Sequence, residues 1–508
     1  MGIIARQSIK ATIATYFGVA VGFFTTFFVL TRFLTAEEIG LTRVLIDAAT
    51  LFVSLAQLGT SSSIIRFFPY FRQKEHDFGR SSDHGFFFWT VLIPLIGFLL
   101  FALLYWACRV PLGQWFGEKS PLFLDYYYFV LPLAFFLLYQ TIFETNCNVL
   151  MRIVVPRMVR EVVVRLGMLA CYLLYAFHML SLDGFVVAIC ANYGIAALIN
   201  LGYLIAMGQI SFRPDWQFLR TNIPLVKNYV RYSSFVFVSA LAAALGPTLS
   251  SFFITAKMGL DYTGIFAIAT YIAVIVSIPY RSLTAIASPQ LARATKEQNH
   301  AEAQTLIHQV SSNLLLIGGL LFFLIWCNID LIFHILPNGG TYAVARNVVF
   351  ILSLTQLIVA TCTISLTTIS FSRYYVFSLL FSLILTITSL CLNNYLIPLY
   401  GMEGAAFSTL LSNVLYFALA LLVLRCACHL RLLNGNALRT ILLLALLFGV
   451  NALWLRFLPA GNIWWSSIAR TVVLGGSGVA VAYTLCLSPE LSKMGDAILH
   501  TLKRKNKE

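Results

Sequence analysis

Long apolar segments follow one another along almost the whole chain. Fourteen stretches of at least 16 residues contain no Asp, Glu, Lys or Arg. A helix needs about 20 mostly apolar residues to cross the hydrocarbon of a bilayer. The pattern predicts an all-α polytopic membrane protein with 14 transmembrane helices, called spans 1 to 14. The charge-free stretches are 11–31, 48–65, 84–108, 126–143, 166–182, 184–212, 232–256, 262–280, 303–329, 347–372, 374–402, 404–424, 440–455 and 471–489.

Weak internal similarity indicates a duplication. The turn TAEEIG ends at Gly40 and the turn GLDYTG ends at Gly264, while Pro69 and Pro289 close spans 2 and 8 at a similar offset. A fixed offset between matching segments is the signature of a repeat. We therefore predict two six-helix lobes in parallel orientation, followed by two extra C-terminal helices. The predicted boundaries are 1–212 and 213–426 for the lobes, 427–490 for spans 13 and 14, and 491–508 for a basic tail.

The composition excludes the soluble classes of protein. Hydrophobic residues make up 59% of the chain and charged residues 11%, with a mean hydropathy of +0.85. Soluble domains carry about 25% charged residues. The short loops between the predicted spans hold no cluster of carboxylates and no nucleophile motif, and the chain has no phosphate-binding GxxxxGK[ST] sequence. The sequence therefore predicts no catalytic residue, no cofactor and no enzymatic activity. The function class that is left is a secondary transporter.

The distribution of basic residues predicts the orientation in the membrane. The net charge is +14, and 26 of the 34 Lys and Arg residues fall in alternate loops that lie on one side. Arg160 and Arg165 are counted in the loop before span 5. Short cytoplasmic loops are enriched in Lys and Arg. We expect both termini to be cytoplasmic, with the positive charge facing anionic lipid heads and not nucleic acid.

One cysteine-rich segment has the spacing of half a metal site. It reads Cys426-x-Cys428-His429 at the end of a predicted helix. Metal sites of this class need a second pair of ligands, which the sequence does not supply. We predict no bound metal.

Three segments resemble a known family. They are LTRFLTAEEIGLTRVLIDAATLFVSLAQLGTSSSIIRFFPYF at 30–71, GLDYTGIFAIATYIAVIVSIPYRSLTAIASPQLAR at 259–293 and LNNYLIPLYGMEGAAFSTLLSN at 392–413. They are similar to the corresponding segments of Wzx-type polysaccharide flippases, within the multidrug/oligosaccharidyl-lipid/polysaccharide exporter superfamily. The resemblance implies a two-lobed protein of the bacterial cytoplasmic membrane. It would move an undecaprenyl-diphosphate-linked oligosaccharide to the outer leaflet by alternating access, with membrane lipids and the glycan polymerase and export machinery as further partners.

Such a substrate requires a cationic cleft, and ionisable residues within spans by default face a cavity. Arg43 and Asp47 are four residues apart, on one face of the helix predicted for span 2. Arg43 would contact the diphosphate or sugar, with Asp47 as counter-charge or proton site. A purely structural ion pair between them is the alternative interpretation.

Four further basic residues are candidates for substrate contact. Arg32 and Lys257 lie near the predicted outer surface, where they could form a cationic rim or snorkel to the interface. Arg66 and Arg281 lie near the inner ends of spans 2 and 8, where a converging pair of guanidinium groups would bind a diphosphate. Anchoring under the positive-inside rule is the alternative for these two.

Coupling and hinge candidates complete the set. Glu144, in the inner part of span 4, is the best candidate for a protonatable coupling carboxylate, and a hydrogen-bonded structural role is the alternative. Span 7 has no carboxylate of the kind linked to sodium coupling in relatives, which favours coupling to protons or to membrane potential. Gly246 and Pro247 form the strongest hinge candidate in span 7.

Two other function classes compete with the flippase. A cation-coupled multidrug-type exporter of the same superfamily would need buried carboxylates to attract its cargo, whereas the spans here have an excess of Arg. A scaffold for a glycan-assembly complex would not need charge within the membrane at all.

Overall fold

The computed structural model describes residues 3–71, 84–208, 210–457, 462–485 and 487. Every element in these ranges is helical. A helix satisfies all of its backbone hydrogen bonds internally, which the hydrocarbon of a membrane requires of a spanning segment. The all-α prediction is confirmed.

Packing within the chain defines two compact units, Met1–Gly264 and Ile265–Glu508. The first unit contains thirteen α-helices among its described residues, with a π-helical segment, Thr25–Leu30, after the first and another, Val159–Val163, after the ninth. These helices are α1 Ile3–Phe24, α2 Thr31–Phe33, α3 Ala36–Ala56, α4 Thr60–Phe71, α5 Phe86–Ala107, α6 Arg109–Phe116, α7 Pro121–Asp125, α8 Val130–Val149, α9 Val154–Met158, α10 Val164–Ala176, α11 Leu182–Ala206, α12 Trp216–Thr221 and α13 Ile223–Lys257.

Helix α14, Leu260–Val274, begins in the first unit and ends in the second. The remaining described helices belong to the second unit. They are α15 Ile278–Lys296, α16 His300–Cys327, α17 Ile329–Ile335, α18 Gly339–Tyr342, α19 Arg346–Phe371, α20 Val376–Cys426, α21 Gly435–Phe457, α22 Ile463–Arg470 and α23 Gly476–Thr484.

Eleven helices in the described ranges are long and apolar enough to cross a membrane. Helix α20 counts once among them although it has 51 residues and covers predicted spans 11 and 12. Predicted spans 5 and 14 correspond to helices assembled from shorter segments, at 154–176 and 463–484. The protein is therefore a multi-pass membrane protein, and the count of 14 spans stays a prediction.

The helix of the fifth predicted span begins before the charge-free stretch that predicted it. Helix α9, the π-helical segment Val159–Val163 and α10 run without interruption from Val154 to Ala176, whereas the apolar stretch begins at residue 166. Arg160 and Arg165 therefore lie within a helix. The charge-free stretch stops short of the helix because it ends at any charged residue, and the charges here are paired.

Glycines allow close helix packing in the first unit. A Cβ atom on Gly40 of α3 would lie less than 3.0 Å from the Leu260 carbonyl oxygen, and one on Gly264 of α14 less than 3.0 Å from the Ala36 carbonyl oxygen. Small residues let helix backbones approach in this way. The two glycines that end the matching turns in the sequence thus pack against each other's helices.

The second unit is organised around α16. This helix packs against α15, α19 and α21. Its buried residues Leu316 and Phe323 contact a cluster that includes Leu443 and Leu447 of α21. The predicted lobe boundaries are not tested by this packing and stay predictions, and the predicted tail, 491–508, lies outside the described residues.

The backbone turns sharply inside α20. Gly401 has φ 58° and ψ −134°, a conformation open to glycine and strained for other residues. A Cβ atom on Gly404 would lie less than 3.0 Å from the Leu396 carbonyl oxygen. Two glycines therefore separate the helical segments on either side of this point.

We predict that Gly401→Ala destabilises the protein by about 1 to 3 kcal/mol, because alanine is strained at this φ and ψ. Heating the detergent-solubilised protein and measuring the fraction that stays monodisperse by size-exclusion chromatography will report the loss. Gly449→Ala in α21 is the matched control, because a Cβ atom there has nothing within 4 Å. Equal stability of the two variants would contradict the account of the turn.

Candidate functional site

The predicted pair Arg43 and Asp47 forms an ion pair in α3. Thr35 caps this helix and exchanges hydrogen bonds with Glu38, which fixes where it begins. Arg43 Nε lies 2.8 Å from Asp47 Oδ2. The side chain of Ser251 in α13 also forms a hydrogen bond with the Asp47 carboxylate. Asp47 is only 7% exposed. The pair thus joins α3 to α13.

Glu144 belongs to a larger network. Arg160 Nη1 lies 2.9 Å from Glu144 Oε1, and its Nε lies 3.5 Å from Glu161 Oε1. Arg165 Nη2 lies 2.9 Å from Glu161 Oε2, and its Nη1 donates to the Gly18 carbonyl oxygen at 2.5 Å. Two carboxylates and two guanidinium groups therefore link α8, the helix beginning at Val154 and α1.

Local geometry builds this network. Arg160 and Glu161 lie in the π-helical segment Val159–Val163, and π-helical turns within α-helices are frequent at functional sites. Gly18 and Gly22 face it from α1, where a Cβ atom on either would collide with Glu161 or Arg165. The two glycines create the space that the charged side chains occupy.

Sequence reasoning missed Arg160, Glu161 and Arg165 as site residues. The available signal was the spacing of Glu161 and Arg165, four residues apart and directly before an apolar run, which places opposite charges on one helix face. The contact between Arg160 and Glu144 had no local signal, because the two side chains come from different helices.

Arg66 lies in the middle of α4 and is exposed. Its guanidinium carbon is 4.3 Å from the ring centroid of Tyr232 in α13 and 5.7 Å from that of Phe67. Beside it, the hydroxyl oxygens of Ser63 and Ser233 are 2.7 Å apart. Stacking on a ring leaves the edge donors of a guanidinium group available to a ligand.

Two other predicted cations also lie over aromatic rings. The Arg32 guanidinium carbon is 5.5 Å from the Phe33 ring centroid, and Lys257 Nζ is 5.5 Å from that of Phe253. Arg32 is exposed and Lys257 is half-buried. Each is thus held by a neighbour in its own helix or helical segment.

Three predicted residues gain no support from side-chain contacts. The backbone of Arg281 is helical within α15, but its side chain lies outside the described residues, so its convergence with Arg66 stays a prediction. Gly246 and Pro247 lie in the continuous helix α13. Their role as a hinge also stays a prediction.

The described residues contain no group of three or more His, Cys, Asp or Glu side chains placed to hold a metal ion. In the segment Cys426-x-Cys428-His429, burial raises the pKa of the Cys428 thiol. A protonated thiol is a poor metal ligand, since the thiolate is the binding form.

The first unit therefore presents two kinds of charge. The buried carboxylates Asp47, Glu144 and Glu161 each pair with an arginine. Arg66 and Arg32 lie instead against aromatic rings. A paired carboxylate can exchange a proton or change its arginine partner. An arginine that lies against an aromatic ring can bind an anion.

Comparison with solved structures shows the fold. The lipid II flippase MurJ in an inward closed conformation is similar with a TM-score of 0.72 and 9% identity, over 94% of this chain and 100% of that chain. A mutant of the Vibrio cholerae MATE transporter VcmN has a TM-score of 0.58 and 16% identity, over 84% and 97%. An inward-facing multidrug resistance MATE family transporter of the MOP superfamily has a TM-score of 0.60 and 13% identity, over 80% of this chain and 93% of that chain.

Comparison with curated protein sequences gives no match. A family profile described as polysaccharide biosynthesis protein matches residues 5–294, which is more than half of the chain. The chain therefore belongs to the polysaccharide biosynthesis protein family, as the resemblance in its sequence indicates.

Proposed function

We propose that the protein is a flippase that moves an undecaprenyl-diphosphate-linked oligosaccharide from the inner to the outer leaflet of the bacterial cytoplasmic membrane. Its product would serve the synthesis of a surface polysaccharide. Membership of the polysaccharide biosynthesis protein family supports this class of substrate. A fold similar to that of a lipid II flippase supports the mode of action.

The proposal rests on the exposure of Arg66 and on its contact with an aromatic ring. Arg66 is exposed and is held by Tyr232 through its ring face. A diphosphate head cannot enter hydrocarbon, and a guanidinium group offers it forked, charge-assisted hydrogen bonds. Arg66 is thus oriented by an aromatic neighbour while its charge stays available, and we propose that it receives the diphosphate together with Arg281.

The pairing of the carboxylates argues against the multidrug-type alternative. An exporter of organic cations needs negative charge in its cleft. The buried carboxylates Asp47 and Glu144 lie 2.8 Å and 2.9 Å from arginine nitrogens. Each already has its counter-charge, so neither is free to attract a cationic cargo.

The contact of Gly40 with the Leu260 backbone fits a cycle of alternating access. It places the N-terminal parts of α3 and α14 in backbone contact, with no room for a Cβ atom on Gly40. A transporter that opens to one side must close the other, and a glycine contact is a compact way to do so. We propose that these turns face the outside and that both termini are cytoplasmic.

Coupling is proposed to use Glu144. The side chains of Glu144 and Glu161 are similarly buried, at 11% and 9% exposed, but Glu144 pairs with Arg160 whereas Glu161 pairs with both Arg160 and Arg165. Fewer ion pairs must therefore be broken for Glu144 to take up a proton. We propose that protonation of Glu144 releases Arg160 during the cycle.

We predict that Arg66→Gln lowers glycan export about tenfold or more at normal protein abundance, since a charge-assisted hydrogen bond contributes about 1.5 to 3 kcal/mol. Arg66→Lys should restore export only in part. Mass spectrometry of lipid-linked glycans in a deletion strain carrying each variant will identify the accumulated substrate and report its amount.

Arg109→Gln is the matched control for Arg66, because the Arg109 guanidinium carbon lies 4.9 Å from the Tyr128 ring centroid in a similar stack. We expect this variant to export normally. Unchanged export in the double variant Arg66→Gln with Arg281→Gln would assign both residues to membrane anchoring. Absence of any accumulated lipid-linked glycan in the deletion strain would contradict the proposed function.

We predict that Arg43→Gln combined with Asp47→Asn gives a protein of normal abundance without transport. Removing one partner strands a buried charge, so Asp47→Asn alone should lower abundance, and removing both should relieve that cost. If Arg43 contacts the substrate, transport is still lost in the double variant. Immunoblotting of membranes and glycan export measure the two effects, and recovered export in the double variant would remove both residues from the site.

We predict that Glu144→Gln abolishes the response of transport to an imposed pH gradient, because the amide cannot take up a proton. Glu161→Gln is the comparison: it strands Arg165 against α1 and should lower protein abundance instead. Proteoliposomes with and without a pH gradient provide the measurement. An unchanged pH response in Glu144→Gln would exclude Glu144 as the coupling carboxylate.

A further inference from the structure

A cavity of about 400 Å³ lies in the second unit. Its walls are the ends of α15, α19 and α20 and the beginning of α16, together with the residues that follow these ends. Sites for small molecules have volumes of about 300 to 1,000 Å³. The cavity is thus large enough for a ligand, and it shares no residue with the site described in the first unit.

The polar groups that line the cavity are cationic or neutral. They include Arg373, His300, His429, Tyr374 and Ser372, and no Asp or Glu is among the described residues that line the cavity. Arg373 Nη2 donates to the Tyr374 hydroxyl at 2.6 Å, and the guanidinium carbon lies 4.8 Å from the Tyr374 ring centroid. The arginine is therefore oriented by its neighbour, while its residue stays exposed.

Two acidic residues that are close in sequence to the lining residues, Glu297 and Glu302, already have partners. Arg293 Nε lies 2.8 Å from Glu297 Oε1. Asn299 Nδ2 donates to Glu302 Oε2 at 3.0 Å. Within the described part of the chain, no carboxylate forms an ion pair with Arg373, so the lining keeps an uncompensated positive charge.

Several backbone carbonyl groups near the helix ends are engaged in hydrogen bonds. The carbonyls of Arg293 and Ala294 in α15 accept from the N–H groups of Glu297 and Asn299. In α20 the carbonyls of Val423 and Leu424 accept from the N–H groups of Cys428 and Leu430. The permanently charged side chain among the described lining residues is Arg373, which suits an anion.

Exposed apolar residues adjoin the positively charged lining of the cavity. Phe371 lines the cavity and is 44% exposed, and the neighbouring Tyr375 and Val376 are 54% and 44% exposed. A soluble phosphate would gain nothing from such a surface. A lipid places its phosphate and its acyl chains side by side, as these two surfaces lie here.

We propose that this cavity binds the head group of an anionic phospholipid, with Arg373 as the main contact to the phosphate. Basic pockets between membrane helices on the cytoplasmic side are suited to acidic head groups. His300, His429 and the hydroxyl group of Tyr374 supply further donors, while Phe371 contacts the first acyl carbons. This lipid is distinct from the transported cargo, so the inference does not rest on the proposed function.

Native mass spectrometry of the full-length, detergent-solubilised protein tests the proposal. The probes are dioleoylphosphatidylglycerol, which is anionic, and dioleoylphosphatidylcholine, which is zwitterionic. We expect retained phosphatidylglycerol on the wild-type protein and much less phosphatidylcholine. Arg373→Gln should weaken the binding of phosphatidylglycerol about tenfold or more, because it removes charge-assisted hydrogen bonds to the phosphate.

Arg425→Gln is the matched control, since Arg425 is an exposed arginine in the last turn of α20 that does not line the cavity. We expect it to bind phosphatidylglycerol as the wild type does. Equal loss in the Arg425 and Arg373 variants would show general surface attraction and overturn the site. Equal binding by wild type and Arg373→Gln would overturn it as well.

Thermal unfolding with inorganic phosphate separates the lipid from a soluble ligand. We expect phosphatidylglycerol to raise the Tm of the wild type and inorganic phosphate at millimolar concentration to leave it unchanged. Stabilisation by inorganic phosphate equal to that by the lipid would overturn the assignment to a lipid. Because Arg373 is exposed, its variant should elute normally in size-exclusion chromatography, and His300→Gln provides a second variant on another helix.

Discussion

A charge within a membrane-spanning helix must be compensated, and this constraint organises the first unit. Guanidinium groups and carboxylates meet as Arg43 with Asp47, Arg160 with Glu144 and Arg165 with Glu161. Each pair avoids an isolated charge in a medium of low dielectric constant. Further polar contacts connect the pairs to other helices, since Ser251 bonds Asp47. Electrostatic contacts thus connect α3 with α13, and α8 with the helix that begins at Val154.

Glycines make those contacts sterically possible. Gly18 and Gly22 bring α1 against the helix that carries Glu161 and Arg165, so that the guanidinium group reaches a backbone carbonyl oxygen. Gly40 and Gly264 bring α3 and α14 together without any charge. Dispersion and backbone contacts replace the hydrophobic effect as the source of helix association in lipid. The charged network and the glycine contacts are thus two solutions to one problem of packing.

The distinction between paired and unpaired charge connects structure to the proposed function. Paired carboxylates can respond to a proton, whereas an arginine stacked on a ring can receive a phosphate. Arg66 in the first unit and Arg373 in the second share the second arrangement, each with a tyrosine ring within 5 Å of its guanidinium carbon. They differ in surroundings, since Arg373 adjoins an exposed apolar surface and a separate cavity. One side-chain arrangement therefore suits a transported ligand in one place and a bound lipid in another.

The sequence by itself determined the features that depend on local spacing. Apolar length predicted helices that cross the membrane, and a separation of four residues predicted the Arg43–Asp47 pair, because one helix places both side chains on one face. Only the tertiary structure decided that Glu144 meets Arg160, that the helix of span 5 begins at Val154 and that Gly40 packs on the Leu260 backbone. The contacts of Glu144 with Arg160 and of Gly40 with Leu260 join residues on separate helices. Their partners are selected by the packing of separate helices, which no pattern within one helix encodes.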